Sequence, residues 1–461
     1  MYKNKSSLPE YIFRAYDIRG IVPSDLNEDV VFNIGLAYGT KATELGESTV
    51  AIARDGRLSG PSLLKALESG ILASGCDVLN IGAVPTPVLY FAAKQHTNGT
   101  GIMLTGSHNP KDYNGLKMTI ANNTLANEEI LELKDFIKNG NCSSGSTAKT
   151  VSKDVADEYI DYILERESLD KKLKIVIDAG NGIAGEIAPK LFRKLGCVVT
   201  EMYCEIDGTF PNHHPDPSKP ENIKDLIAKV REVGADVGLA FDGDGDRLGI
   251  VTSSGASIAA DRQLMLYAKD VLANKAGASI MYDVKSTKNI DGFVKSLGGN
   301  PIMYKTGHAL IKKKMKTTSI DLAGEMSGHV FFNDRWPGFD DGLYTGARLL
   351  DILAKTDKNL DELFAEIPES FATPEINITV TEDNKFGIVD AILAECKKEF
   401  IHAKIVDIDG VRVEFNDGWA LVRASNTTPC LVLRFEADTQ EAMDSVQARF
   451  MAVVDGVLSG Q

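Results

Sequence analysis

No stretch of this sequence is both apolar and long enough to span a bilayer, which takes about 20 consecutive residues, so a soluble protein with no membrane partner is expected. Its first residues, MYKNKSSLPEYIFR, lack the continuous apolar segment of a secretory signal, which points to the cytoplasm. Cysteine is scarce. The six residues (Cys76, Cys142, Cys197, Cys204, Cys396 and Cys430) are scattered without metal-like spacing, which fits a reducing compartment and argues against a disulfide framework. Positive charge is also short: 50 Lys and Arg against 65 Asp and Glu leave a net charge of −15, so the average surface repels nucleic acid and anionic membranes. That balance does not bear on small anionic ligands, which a few converging basic groups can hold.

A chain of 461 residues exceeds what one core supports, because cores stop growing near about 250 to 300 residues. Three apolar, β-branched runs read as buried strands that each open a strand-helix-strand unit: TVAIARDGR from Thr49, KIVIDAGNG from Lys174 and SIMYDVKST from Ser279. Their second strands are CDVLNIGAV, CVVTEMYCE and NPIMYKTG, so one α/β unit occurs three times. Alternating strands and helices favour mostly parallel, helix-covered sheets with ligand loops at the carboxyl ends of the strands. The small, polar segment SSGSTAKTVSKD marks a first boundary, and a second falls near 253–256. Beyond Pro368 the pattern changes to the mixed strands and helices of an α+β domain. The expected division is 1–152, 153–255, 256–367 and 368–461: three related α/β mixed-sheet domains and a C-terminal α+β domain.

Four segments carry chemistry. In GIMLTGSHNPKDYNGLK an apolar strand runs into a turn bearing Ser107, His108 and Asn109. Turn capping is the ordinary role of such residues. A hydrolase elbow would need GxSxG, whereas Thr105 and Asn109 flank this serine, so phosphoryl chemistry is left. In VGLAFDGDGDRLGIV, Asp242, Asp244 and Asp246 alternate with glycines between two apolar strands and can face one point. Hard cations take oxygen ligands, and three aspartates with one phosphate oxygen suit Mg²⁺; an EF-hand would need Gly and Glu where Arg247 and Ser253 stand. AGEMSGHVFF offers Glu325, Ser327 and His329, of which the carboxylate and hydroxyl suit neighbouring sugar hydroxyls. LVRASNTTPCLVLRF places Arg423, Ser425, Asn426 and Thr427 between two strands, a charged fork with hydroxyl and backbone donors for a phosphate.

A competing signal is GNGIAG, from Gly180 to Gly185, which follows a strand and matches the dinucleotide fingerprint. An NAD-dependent sugar-phosphate dehydrogenase is therefore the alternative of a different class. It leaves the serine, aspartate and arginine loops without use, so a structural glycine turn is the better account.

Taken together these segments resemble the α-D-phosphohexomutase superfamily, in its bacterial phosphomannomutase/phosphoglucomutase branch, over essentially the whole chain. FRAYDIRG, TGSHNP, DGDGDR, GEMSGH and RASNTTP stand in the family's order. The resemblance implies four domains around a central cleft, with Ser107 as phosphate carrier and also a metal ligand beside Asp242, Asp244 and Asp246. It places Arg247, Arg19, Lys117 and His108 around the carrier. Tyr16, Lys285, His308 and Arg423 would contact substrate or its phosphate. The implied reaction converts hexose 1-phosphates and 6-phosphates of mannose and glucose through phosphoserine and a hexose 1,6-bisphosphate, with glucose 1,6-bisphosphate as activator. Lys117, Arg19 and His329 are the candidates for moving the proton. Phosphoglucosamine mutase is the alternative within the class, and an aspartyl-phosphate phosphatase a further one. A monomer acting on small sugar phosphates is expected, with higher assembly left open.

Overall fold

The computed structural model describes residues 8–140, 142, 145, 147–426 and 428–460, which form two compact units. The first holds the chain up to Ala259 together with His308–Thr318 and Ser327–Phe364. The second holds Ala260–Gly307, Ser319–Met326 and the chain from Ala365 onward. Segment 256–367 thus contributes to both.

The three α/β repeats are visible in the sheets. In the first unit, Thr49–Arg54 lies between Asp77–Ala83 and Gly101–Leu104, all parallel. Likewise Lys174–Asp178 lies between Val198–Met202 and Val237–Phe241. In the second unit, Ser279–Asp283 lies between Asn300–Tyr304 and Leu322–Gly324. Each repeat therefore centres its first strand. The central strands are buried on both faces, as parallel strands sheathed by helices must be. Both sheets of the first unit continue antiparallel, through Tyr113–Ile120 and through Leu248–Thr252, so they are mixed. Thr150–Ser152, inside the expected boundary segment, adds an edge strand to the first sheet.

Local chemistry fixes the helices. Asn27 accepts the Val30 N–H and starts Glu28–Glu44, and Thr439 does the same for Gln440–Ser459 through Ala442. Glu28–Glu44 packs on Gly60–Ala73 with backbones in contact at Gly70, where a Cβ would lie 2.1 Å from the Phe32 carbonyl oxygen. In the second unit, Gly418–Ala424 and Cys430–Ala437 form the centre of an antiparallel sheet covered by Lys385–Glu399 and Gln440–Ser459, the expected α+β domain. No described helix is long and apolar enough to cross a membrane.

Because strands of one repeat are parallel and in register, their carboxyl ends lie together. Arg54 pairs with Leu104, which sets the Asp55–Arg57 turn beside the Ser107 loop. Ala240 pairs with Asp178, which sets the aspartate loop beside the glycine turn.

Candidate active site

Ser107 is three residues past the end of Gly101–Leu104, is 3 % exposed, and has a left-handed φ of +48°. A non-glycine residue in that region needs support from its surroundings. Asp55 accepts hydrogen bonds from Thr105 Oγ1 at 2.9 Å and the Gly106 N–H at 3.0 Å. Arg57, buried and paired with Asp55, donates to the carbonyls of Ser107, Asn109, Pro110 and Tyr113 at 2.5–2.9 Å. One guanidinium thus closes the whole loop. Ser107 Oγ donates to Asp242 Oδ2 at 3.1 Å and lies 3.1 Å from His108 Nδ1. Burial, then Arg247 and Arg19, hold the His108 imidazole well below its usual pKa and therefore neutral.

The DGDGDR loop joins two antiparallel strands, and Asp242, Asp244 and Asp246 are fully buried with carboxylate oxygens within 4.8 Å of one another. Gly245, at φ +75°, turns the loop so that Asp242 Oδ1 accepts its N–H and that of Arg247. Lys117 Nζ bridges Asp244 at 2.7 Å and Asp246 at 2.5 Å. Arg247 Nε meets Asp242 at 3.0 Å. Burial and the neighbouring aspartates push Asp242 up to about 7, and burial with Asp244 raises Asp246. Burial also works against Asp244, but Lys117 more than offsets it and holds that carboxyl low. Lys117 itself is raised well above its ordinary value, since its two carboxylates outweigh the burial. The Oδ1 atoms of Asp244 and Asp246 are buried without a hydrogen-bond partner among the described residues. Crowded, under-compensated oxygens of this kind fit a hard divalent cation.

Around this centre the first unit also brings Arg19, Tyr16, His308, Ser327 and His329. Arg19 donates to Asp17 and, at 3.3 Å, to the Gly106 carbonyl. Arg247 reaches the Ser327 carbonyl at 3.3 Å. His329 Nδ1 lies 3.0 Å from Asp340 and 3.7 Å from Asp246, and its ring stacks on His308, which in turn meets Tyr16 edge-on. Asp340 also pairs with Lys312 at 2.8 Å.

In the second unit the expected residues again sit at strand ends. Lys285 pairs with Glu375 at 2.6 Å. Glu325 is buried and accepts the Gly307 N–H at 2.6 Å, a backbone tie that its loop motif did not announce. Arg423 lies in a fork with Asp409, whose Oδ2 also accepts the Thr306 N–H. Ser425 Oγ accepts the Thr428 N–H, Lys385 holds the Ser425 carbonyl, and Asn426 follows half-buried. Thr427 lies outside the described residues.

Several participants escaped the sequence reading. Asp55 and Arg57 had a usable signal, since RDGR puts charges at the carboxyl end of a buried strand. Thr86, Asp340, Asp409 and Glu375 had none. The glycine turn is resolved in the way preferred above: a Cβ on Gly185 would lie 2.1 Å from the Cys204 carbonyl oxygen, and one on Gly182 3.0 Å from that of Gly243. Close approach of neighbouring backbone is thus what these glycines permit, in keeping with the structural glycine turn.

Comparison with known proteins gives the same picture over the full length. Residues 10–141, 157–255 and 259–371 match the α/β/α domains I, II and III of phosphoglucomutase/phosphomannomutase, and 375–453 match its C-terminal domain. The chain is 53 % identical over 444 residues to a phosphomannomutase/phosphoglucomutase of Pseudomonas aeruginosa, covering 96 % of this chain and 95 % of the relative. It is 52 % identical over 453 residues to a phosphoglucomutase of Neisseria gonorrhoeae, covering 98 % of each. A crystal structure of a phosphoglucomutase/phosphomannomutase family protein from Burkholderia thailandensis superposes with a TM-score of 0.93 at 47 % identity, covering 98 % of this chain and 99 % of that one.

Proposed function

The chain belongs to the phosphoglucomutase/phosphomannomutase family, and from that premise we propose that it interconverts the 1- and 6-phosphates of mannose and glucose through a phosphorylated Ser107. The observation that carries the reading is the serine hydroxyl 3.1 Å from Asp242, inside a ring of three buried aspartates, two of them bound by Lys117. Phosphoryl transfer asks for positioning and charge neutralisation more than for covalent chemistry by the protein.

Asp242, Asp244, Asp246 and the Ser107 oxygen would hold Mg²⁺, which when bound neutralises charge on the transferring phosphoryl group. In the forward half, the bond from phosphorus to Ser107 Oγ breaks, a new bond from phosphorus to the free sugar hydroxyl oxygen forms, and the hydroxyl's proton passes by way of Arg19 or His329 so that Ser107 Oγ ends protonated. The resulting bisphosphate reorients, and Ser107 Oγ takes the other phosphoryl group. Arg19, Arg247 and Lys117 balance the charge. As arranged, Lys117 keeps its proton between two carboxylates and serves as a fixed positive charge rather than as a base. Lys285, Arg423, Ser425, Asn426 and Thr427 would hold the phosphate that does not react, with Tyr16 and His308 against the sugar.

Glu325 and Ser327 are assigned to the sugar 3- and 4-hydroxyls. Selection there ignores C2, the centre at which glucose and mannose differ, so both are accepted. The domains would divide as 1–152, 153–255, 256–367 and 368–461, and the enzyme would act as a cytoplasmic monomer activated by glucose 1,6-bisphosphate, which replaces a lost serine phosphate.

The test is intact mass of wild type and Ser107→Ala after incubation with glucose 1,6-bisphosphate and Mg²⁺. A phosphate-sized increment on the wild type alone is expected. An increment on both, or on neither, would sink the assignment of Ser107.

A further inference from the structure

A cleft of about 540 Å³ opens in the first unit, and none of the phosphoryl-transfer residues lines it. That volume is within the range of small-molecule sites, about 300 to 1,000 Å³. Its walls come from the helices Thr86–His96 and His308–Thr317, the turn around Asn122, and the loop 333–339. Three lysines, Lys94, Lys312 and Lys316, line it, and no carboxylate does.

The lysines are not equivalent. Lys312 is buried, bound to Asp340 at 2.8 Å, with its ammonium 3.9 Å from the centre of the Tyr90 ring. Lys94 and Lys316 are exposed and touch only backbone oxygen, of Pro337 at 3.3 Å and of Ala121 at 3.2 Å. Neither has an ion-pair partner among the described residues. In a chain of net charge −15, two uncompensated ammonium groups at one cleft form a local reversal of sign. An apolar wall stands beside them: Tyr90 and Phe339 meet with ring centroids 5.8 Å apart and planes tilted at 52°. Tyr90 is 6 % exposed, and its Oη finds no acceptor for its proton among the described residues. A buried phenol is usually hydrogen-bonded, so this one points to an acceptor that arrives with a ligand.

We propose that this cleft is a second binding site, for a small anion of the nucleotide class. The phosphate rests between Lys94 and Lys316, the flat ring lies against Tyr90 and Phe339, and a ring or sugar heteroatom accepts from Tyr90 Oη. A bare phosphate would use the lysines and leave both the ring wall and the phenol unserved. A neutral ring compound would leave the two ammonium groups uncompensated.

Isothermal titration of the full-length protein with adenosine 5′-monophosphate tests this. One molecule per chain is expected, and saturating glucose 1-phosphate should not displace it. Lys94→Glu/Lys316→Glu changes only exposed side chains and should weaken binding by at least about tenfold, while kcat/KM on glucose 1-phosphate stays within about twofold. Tyr90→Phe, which removes only the hydroxyl, should weaken it severalfold with the fold intact. Absence of a saturable signal, unchanged affinity in the double variant, or displacement by glucose 1-phosphate would each overturn the proposal.

Discussion

Arg57 is the residue whose loss should most clearly separate loop order from global folding. It is 1 % exposed, pairs with Asp55, and holds four carbonyls between Ser107 and Tyr113. Arg57→Met removes all of these while filling much of the volume. Hydrogen bonds from a charged donor are worth about 1.5 to 3 kcal/mol each, but one side chain supplies them together, so they do not add. The better guide is the cost of leaving a buried charge, here Asp55, without its partner, about 3 to 5 kcal/mol. At 1.4 kcal/mol per factor of ten, 3 kcal/mol is roughly a hundredfold in the opening equilibrium of the loop. Hydrogen exchange read by mass spectrometry should show amides of 106–113 exchanging about a hundredfold faster, with the strand Thr49–Arg54 much less affected. Turnover should fall about a hundredfold as well, since small displacements of reacting groups cost that much. Arg57→Lys should be intermediate, as an ammonium cannot reproduce the planar fork. Exchange within about threefold of wild type, or an equal rise across the first sheet, would refute the reasoning.

Gly243 lies against the serine loop, and a Cβ there would come 2.3 Å from the Ser107 carbonyl oxygen; Gly243→Ala should lower kcat by about a hundredfold with far-UV dichroism unchanged, and normal turnover would show the two loops free to part. Chelation should abolish turnover and added Mg²⁺ restore it without a change in secondary structure, whereas turnover persisting in chelator would remove the metal from the reaction. Asp341 is buried, and burial pushes its carboxyl up to about 8 despite hydrogen bonds from the Tyr344 N–H and the Tyr159 hydroxyl. Unfolded, it titrates near about 3.9, so from about pH 4 to 8 the native state holds a proton the unfolded state has released. Its contribution is therefore full at low pH and is lost as pH rises through that window, by up to about 1.4 kcal/mol per unit. Asp341→Asn should flatten the urea midpoint against pH between 5 and 8, and an unchanged slope would contradict the assignment.

The parallel core of each repeat was legible because strands buried on both faces need uninterrupted apolar, β-branched runs, as in KIVID and SIMYD. Ser107 and the three aspartates were legible for a different reason: their chemistry is written at short spacing, where no long-range information is needed. Arg57 was legible only as a charge in an odd place. What it grips is 50 or more residues away, and the parallel register that brings the two turns together is not a local property of either. The same holds for Lys117, read as a mover of protons but engaged with carboxylates 127 and 129 residues on. Asp340 was invisible, since an aspartate before Asp341 and a helix start reads as a cap until the fold turns Lys312, His308 and His329 toward it.

Asp244 shows what such distance means for anyone who would move this chemistry elsewhere. Its Oδ2 takes hydrogen bonds from Thr86 and Lys117 and lies 3.1 Å from Thr105 Oγ1, and its carbonyl takes the Thr86 N–H. Six letters, DGDGDR, are enough to find the loop in a database of strings, but not to make it work in a new host. Grafted alone, the loop would arrive with three mutually repelling acids and without the threonines and lysine that hold the middle one ionised. The transferable part is the two sheets that carry these loops, and a designer would have to carry about 160 residues of scaffold to install one cation site.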